Sequence, residues 1–379
     1  MSAYHQMGHH SRNLVLDESD LIAYRGAILS PVNEIQADMV AFLERVVPDF
    51  ETIFDPQLYY PRAERETLRQ WSYFPQDVDT ADTANDGWWQ SLTDNLIAVC
   101  ETLGVKSVCT PVQVPAAYTN GYYASCIQTA GYVHRRLHET SSRIQGLQSA
   151  VVNLPDLAAE GRALAIASIV SQTPFGRVYV VFTGGPDPRR ELDNADQLKG
   201  AMRLIAALKE SGLRVLVGYT STDVLLWKVA GAHDCASGKF FNLRRFTGTR
   251  FEDPAGGGGQ LGYLVEENLV AFLRGGDIPR VDAQRMISNV TRANPYYTQI
   301  QEALATGDPW VAVSWRFFLY WFAEVQDRIE TGLLDVRTLL REAETRWTEL
   351  EDADVLMEEA RNDGRWLRPW RRALAEYRR

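Results

Sequence analysis

The sequence predicts an α/β chain of the (β/α)8 barrel class with a helical carboxy-terminal extension, and three observations carry that prediction. Short apolar runs rich in valine and isoleucine alternate with helix-periodic segments between residues 24 and 250. Parallel strands need crossover connections, which helices supply, so alternation implies a parallel sheet. Seven or eight such units over about 250 residues suit a closed barrel. The first apolar run exits through Leu29-Ser30-Pro31-Val32-Asn33, without the glycine-rich phosphate turn that an open doubly wound sheet carries there.

In chain order, the expected strands are centred on Ala27, Ile53, Val108, Val151, Val180, Val215 and His233. Helices are expected between them, at 35–47, 91–103, 121–143, 157–171, 193–211 and 222–230, from apolar spacing near 3.6 residues. The eighth strand is expected either in GQLGYLVEENLVAFL, after the glycine run at 255–260, or near Leu14. Residues 63–90, polar and aromatic with Asp77, Asp79, Asp82 and Asp86, read as a long loop over the strand ends. Residues 1–277 are thus assigned to the barrel and 278–379 to the extension, where Leu333, Val336, Leu339 and Leu340 form a helical stripe.

Bulk properties exclude several classes. A net charge of −10 argues against nonspecific coating of nucleic acid. Cys100, Cys109, Cys126 and Cys235 are widely spaced, which suggests neither a zinc ribbon nor a disulfide framework and fits a reducing cytoplasm. No signal-peptide core is read at the amino terminus. The run WVAVSWRFFLYWFAEV is interrupted by Arg316 and Glu324 and reads as a buried helix, not a membrane span. His9-His10 and the pair His134 and His138 have no carboxylate or cysteine in a ligand spacing, so no metal or cofactor is expected.

Function is expected at strand ends. Asp55 and Asp234 are both placed there, on one face, where two carboxylates can divide nucleophilic attack on a sugar carbon and proton transfer. The alternatives are a turn cap at Asp55 and an ion pair of Asp234 with Arg244 or Arg245. Gly184-Gly185 admits a flat or anionic ligand close to the backbone, or is an ordinary turn. Gln113 and Asn153 can read a heterocyclic base edge or close loops. Gly238, Lys239, Arg244 and Arg245 suit a phosphate. In the tail, Trp366 and Trp370 stand among Arg365, Arg368, Arg371 and Arg372; the set fits nucleic-acid contact or an amphipathic helix packed on the barrel.

The stretch GYTSTDVLLWKVAGAHDCASGKFFNLRR resembles the strand-helix-strand unit of the tRNA-guanine transglycosylase barrels, which ends in an Asp-Cys pair and a basic loop. FDPQLYYP resembles that family's earlier strand end at Asp55 and the following aromatic residue, and the double glycine has a counterpart in Gly184-Gly185. The family's cysteine-rich zinc site has no counterpart. The resemblance implies Asp234 as nucleophile, Asp55 in proton transfer, and Gln113, Asn153, Gly184 and Gly185 around a purine-like base, in a transferase acting at an N-glycosidic bond. The other expectations are a barrel enzyme for a phosphorylated metabolite and an inactive, nucleic-acid-associated scaffold. The two are separated by the tail arginines, which only the scaffold requires.

Overall fold

A computed structural model describes residues 3–17, 23–253 and 260–378. Eight parallel strands close into a barrel: β1 (Ala3–Gln6), β2 (Tyr24–Leu29), β3 (Glu51–Phe54), β4 (Ser107–Cys109), β5 (Gln145–Asn153), β6 (Arg177–Thr183), β7 (Arg214–Val217) and β8 (Asp234–Ser237). Eight helices accompany this part of the chain: α1 (Arg12–Leu16), α2 (Gln36–Leu43), α3 (Glu66–Arg69), α4 (Asp86–Leu103), α5 (Asn120–Glu139), α6 (Arg162–Val170), α7 (Ala195–Glu210) and α8 (Val224–Ala230). All seven expected strands are present.

The eighth strand lies at neither expected place. It is β1, which pairs with β2 on one side and β8 on the other and so closes the barrel. Leu14 lies in α1, and the segment after the glycine run forms β9 (Leu264–Glu266) and β10 (Ala271–Leu273), an antiparallel pair outside the barrel. The glycine run itself, apart from Gln260, lies outside the described residues.

Alternation divides each strand between two cores. Val178 and Val180 of β6 pack outward with the helices, whereas Tyr179 and Val181 join the cluster that fills the barrel. A proximal ladder of close contacts explains two glycines: a Cβ at Gly218 would lie 2.4 Å from the Tyr179 ring, and one at Gly238 would lie 2.5 Å from the Gln6 carbonyl.

The carboxy-terminal part comprises α9 (Asp277–Ala283), α10 (Asn289–Ala293), α11 (Tyr297–Thr306), α12 (Val311–Glu330), α13 (Val336–Asp352) and α14 (Leu367–Glu376). The helix α12, formed by the aromatic run, covers the seam where β1 meets β8. Its Leu319 carbonyl accepts from the Tyr24 hydroxyl at 2.9 Å, and its Gln326 side chain accepts from the Cys235 amide at 3.2 Å. Among the described residues no helix is long and apolar enough to cross a membrane.

The tail packs as an amphipathic helix. Trp370 is fully buried and donates its indole N–H to the Leu192 carbonyl, and Trp366 stands edge-on to Trp347 at 5.8 Å. Neither ring faces solvent for stacking on bases. Arg365 pairs with Asp363, Arg371 with Glu344, and Arg372 with Glu376 and Asp196. Much of the tail's positive charge is therefore met within the chain; Arg368 is exposed.

Candidate functional site

The two ends of the barrel differ in how they treat buried charge. At the amino-terminal end, Asp234 is the first residue of β8 and fully buried, and Arg214 of β7 grips both its oxygens at 2.8 Å. Alongside, Glu51 at the start of β3 accepts from Arg177, Ser107 and the Tyr4 hydroxyl. The Glu51 carboxyl is held below its usual range: burial pushes it up, but the Arg177 guanidinium and these hydrogen bonds outweigh that. Each charge here has its partner.

The expected shared face for Asp55 and Asp234 is therefore not found. Asp55 follows the last residue of β3, four positions beyond Glu51, which is about 13 Å of extended strand. Asp234 starts its strand at the level of the Tyr4, Glu51 and Arg177 cluster, where its charge acts on Tyr4 and Arg177. Its partner is Arg214, not Arg244 or Arg245. A strand boundary one residue later than expected turns the aspartate from a strand end into a strand beginning.

At the carboxy-terminal end, Asp55 is 2% exposed and accepts from the Gln57 amide at 3.0 Å and the Tyr59 hydroxyl at 2.9 Å. Burial pushes its carboxyl up to about 6, against the opposing pull of these bonds and of the Arg250 charge. Gln57 itself adopts a left-handed backbone, φ 53°, unusual outside glycine. That turn lets its side-chain oxygen accept from Ser30 Oγ at 3.2 Å and the Val32 amide at 3.0 Å, tying the β2 and β3 exits together. Arg250, from the loop after β8, donates to Ser30 Oγ at 2.5 Å and the Met7 carbonyl at 3.2 Å and lies over the Tyr219 ring. Phe246 and Phe251 of the same loop pack edge-on against Tyr59 at the mouth.

Outside this mouth opens a cleft of about 900 Å³. Its walls carry His9, Arg65, Arg189, Lys239, Arg244 and Arg250, with Asp187 the single carboxylate among the described residues that line it and Trp315 and Tyr263 among the aromatic residues. Asp187 is already met by Arg361 at 3.8 Å. Among the described residues none of the five lysine and arginine side chains forms an ion pair with a carboxylate; Arg65, Lys239, Arg244 and Arg250 donate to carbonyl and hydroxyl oxygens only. Lys239, Arg244 and Arg250 are nevertheless 4%, 3% and 7% exposed. Burial lowers the Lys239 ammonium to about 8 and the Arg244 guanidinium to about 9, opposed by the charge of Glu34 at Lys239 and by Tyr24 and Glu191 at Arg244. Lys239 stands over the Phe240 and Trp315 rings, and Arg244 lies 3.5 Å from the Phe318 ring centre, so aromatic faces replace counter-ions.

Of the expected site residues, Lys239 and Arg244 line the cleft. Gly238 makes the close approach to the Gln6 carbonyl already described. Arg245 is buried beside Asp223, 3.8 Å away, and against Gly185, whose added Cβ would lie 3.0 Å from the arginine chain. It thus lies apart from the cleft residues. Asn153 and Gly184 do meet: Gly184 takes φ 72°, and a Cβ there would lie 2.3 Å from Asn153 Oδ1. Asn153 also donates to Asp156 at 2.9 Å, which makes this contact a loop closure at the β5 and β6 ends. Gln113 accepts the Tyr122 hydroxyl through its carbonyl, again closing a loop. His9 lies on the cleft wall with its ring against His10, while His134 packs on Phe175 from α5. Among the described residues no group of three or more His, Cys, Asp or Glu side chains could hold a metal.

Arg65, Arg189 and Arg250 were not anticipated as site residues. They arrive from three different exits, after β3, β6 and β8, and only barrel closure gathers them. No protein-family model matches the chain, and no curated protein matches it.

Proposed function

We propose that the chain is a barrel enzyme acting on a small molecule that carries a phosphate or similar oxyanion, bound in the carboxy-terminal cleft, with Asp55 transferring a proton at the barrel mouth. The observation that carries this reading is the collection of five lysine and arginine side chains in one cleft without a carboxylate partner among the described residues. A buried cation lacking a counter-charge is costly, and an oxyanion bound among the five offsets that cost. Arginine forks match phosphate oxygens in geometry as well as charge. Asp55 fits proton transfer because a carboxyl poised near 6 exchanges protons readily around neutral pH.

Base exchange with Asp234 as nucleophile is not proposed, because that carboxylate sits at the opposite end of the barrel under Arg214. The scaffold reading loses its support where Trp366 and Trp370 are buried and most of the neighbouring arginines are paired.

Calorimetric titration with inorganic phosphate at low and moderate salt tests the proposal. Binding that weakens with salt and falls at least tenfold in Arg65→Gln/Arg189→Gln is expected. Absence of phosphate binding by the wild-type chain, or equal binding by the double variant, would overturn it.

A further inference from the structure

The mouth beneath the β8 exit loop contains donors that the fold leaves unused. Gln6 Nε2, Gln57 Nε2 and both Nε and Nη1 of Arg250 are buried and have no hydrogen-bond partner among the described residues. Each side chain is fixed through its remaining polar atom. Gln6 Oε1 accepts from the Tyr179 hydroxyl at 3.1 Å, Gln57 Oε1 accepts from Ser30 and Val32, and Arg250 Nη2 donates to Ser30 and Met7. Rotating any of these groups to satisfy its free donor would break the bond it now makes.

The three side chains are neighbours. Ser30 Oγ is shared by Gln57 and Arg250. Tyr179, which holds Gln6, interacts electrostatically with Tyr219, Asp55 and Arg250. An unmade hydrogen bond at a buried donor is costly, so a packed core retains few of them. Here four such donors occur near one another, beside the raised carboxyl of Asp55 and the buried Tyr219 hydroxyl, which the Gln57 side chain approaches and which can itself accept as well as donate. Arg250 also lines the outer cleft, so one side chain reaches both places.

We propose that the mouth is a second subsite which receives the acceptor-rich head of the ligand, a carbonyl or carboxylate, through Gln6, Gln57 and Arg250, while the oxyanion of the same molecule occupies the outer cleft. The inference rests on the preceding reading for the oxyanion and adds the chemistry of the other end. Recognition by four donors selects oxygen acceptors and disfavours an ammonium group, which brings only further donors and a like charge beside Arg250. The ligand class is therefore a phosphorylated keto or carboxylic acid, not a phosphorylated amine.

Calorimetry with three probes tests this: 3-phosphoglycerate, glycerol 3-phosphate and phosphoethanolamine. The wild-type chain is expected to bind 3-phosphoglycerate at least tenfold more tightly than glycerol 3-phosphate, with phosphoethanolamine weakest. Gln6→Met and Gln57→Met should erase the first preference and leave glycerol 3-phosphate within about twofold, which also shows that the variants fold. Equal wild-type affinity for 3-phosphoglycerate and glycerol 3-phosphate overturns the mouth subsite while leaving the outer oxyanion site standing, and so does a preference that survives in both variants. Failure of all three probes to bind the wild-type chain overturns both readings.

Discussion

Replacing Asp55 with asparagine should change how stability depends on pH. The Asp55 carboxyl sits at about 6 in the folded chain against an ordinary value of 3.8. Below 3.8 both folded and unfolded states hold the proton, and Asp55 imposes no penalty. As pH rises from 3.8 to about 6, the unfolded chain releases the proton while the buried site keeps it, so stability falls across that window and levels off above it. The shift of about two units corresponds to about 3 kcal/mol, and because Asp55 is 2% exposed, little of this is screened by solvent. Asparagine does not titrate; its oxygen can still accept the Gln57 amide, and Tyr59 can turn to accept from its nitrogen. Urea melts of both chains at pH 4, 5, 6 and 7 isolate this contribution, since Glu191 and Glu266, also raised by burial to about 7, titrate alike in both. The stability of Asp55→Asn relative to wild type should rise by about 2 kcal/mol from pH 4 to pH 7, the remainder of the shift being lost below pH 4. A difference that stays flat with pH would refute the assignment of a raised, desolvated carboxyl at the mouth, and with it the proton-transfer role.

Three further outcomes are expected. Asp234→Asn should lower stability by about 2 kcal/mol, below the usual loss for breaking a buried pair because Arg214 is 37% exposed, while phosphate affinity measured by calorimetry stays unchanged. Arg244→Lys should cost about 2 kcal/mol in a urea melt although the charge is kept, because a lysine cannot both span the Gly238 and Lys239 carbonyls and lie flat on Phe318. A thiol reagent at pH 8 should label the native chain far more slowly than the urea-unfolded chain at all four cysteines. Cys100, Cys109 and Cys235 are buried with their thiols raised by desolvation, and Cys126 is pushed up to about 12.

The barrel was legible wherever a strand is apolar on both faces. RVYVVFT and RVLV have helices outside and barrel filling inside, and such runs announce themselves. The strand AYHQ does not. Its four residues are all buried, yet Tyr4 and Gln6 face polar partners, Glu51 and Tyr179, that lie 47 and 173 residues away. No local pattern marks a polar strand whose burial depends on closing a ring. Asp234 was misplaced for a related reason. The ladder leaves β7 through His233, whose amide bonds to the Val215 carbonyl, and the aspartate that follows is tolerated in the interior only because Arg214 reaches it. The sequence shows both residues, but not that they meet. Likewise Lys239 and Arg244 were visible as a basic loop, whereas Arg65, Arg189 and Arg250 are unremarkable until the strand exits converge.

The contrast between the barrel ends bears on where chemistry can occur. A cleft of about 660 Å³ also opens at the amino-terminal end, and it too is lined by charged groups, Arg25, Glu51 and Arg177 among them. There Glu51 answers Arg177 and Arg25, and Arg214 answers Asp234. A ligand reaching the buried part would have to displace bonds that already exist; Lys106 and Arg143, which have no carboxylate partner among the described residues, are exposed at its rim. At the carboxy-terminal end the cations lack carboxylate partners among the described residues and the buried donors lack acceptors, so an oxyanion joined to a carbonyl or carboxylate gains both without breaking either. Charge alone does not distinguish the two clefts. What distinguishes them is whether the protein has already satisfied it, and by that criterion the mouth beside Asp55 is the end at which binding a ligand completes the structure.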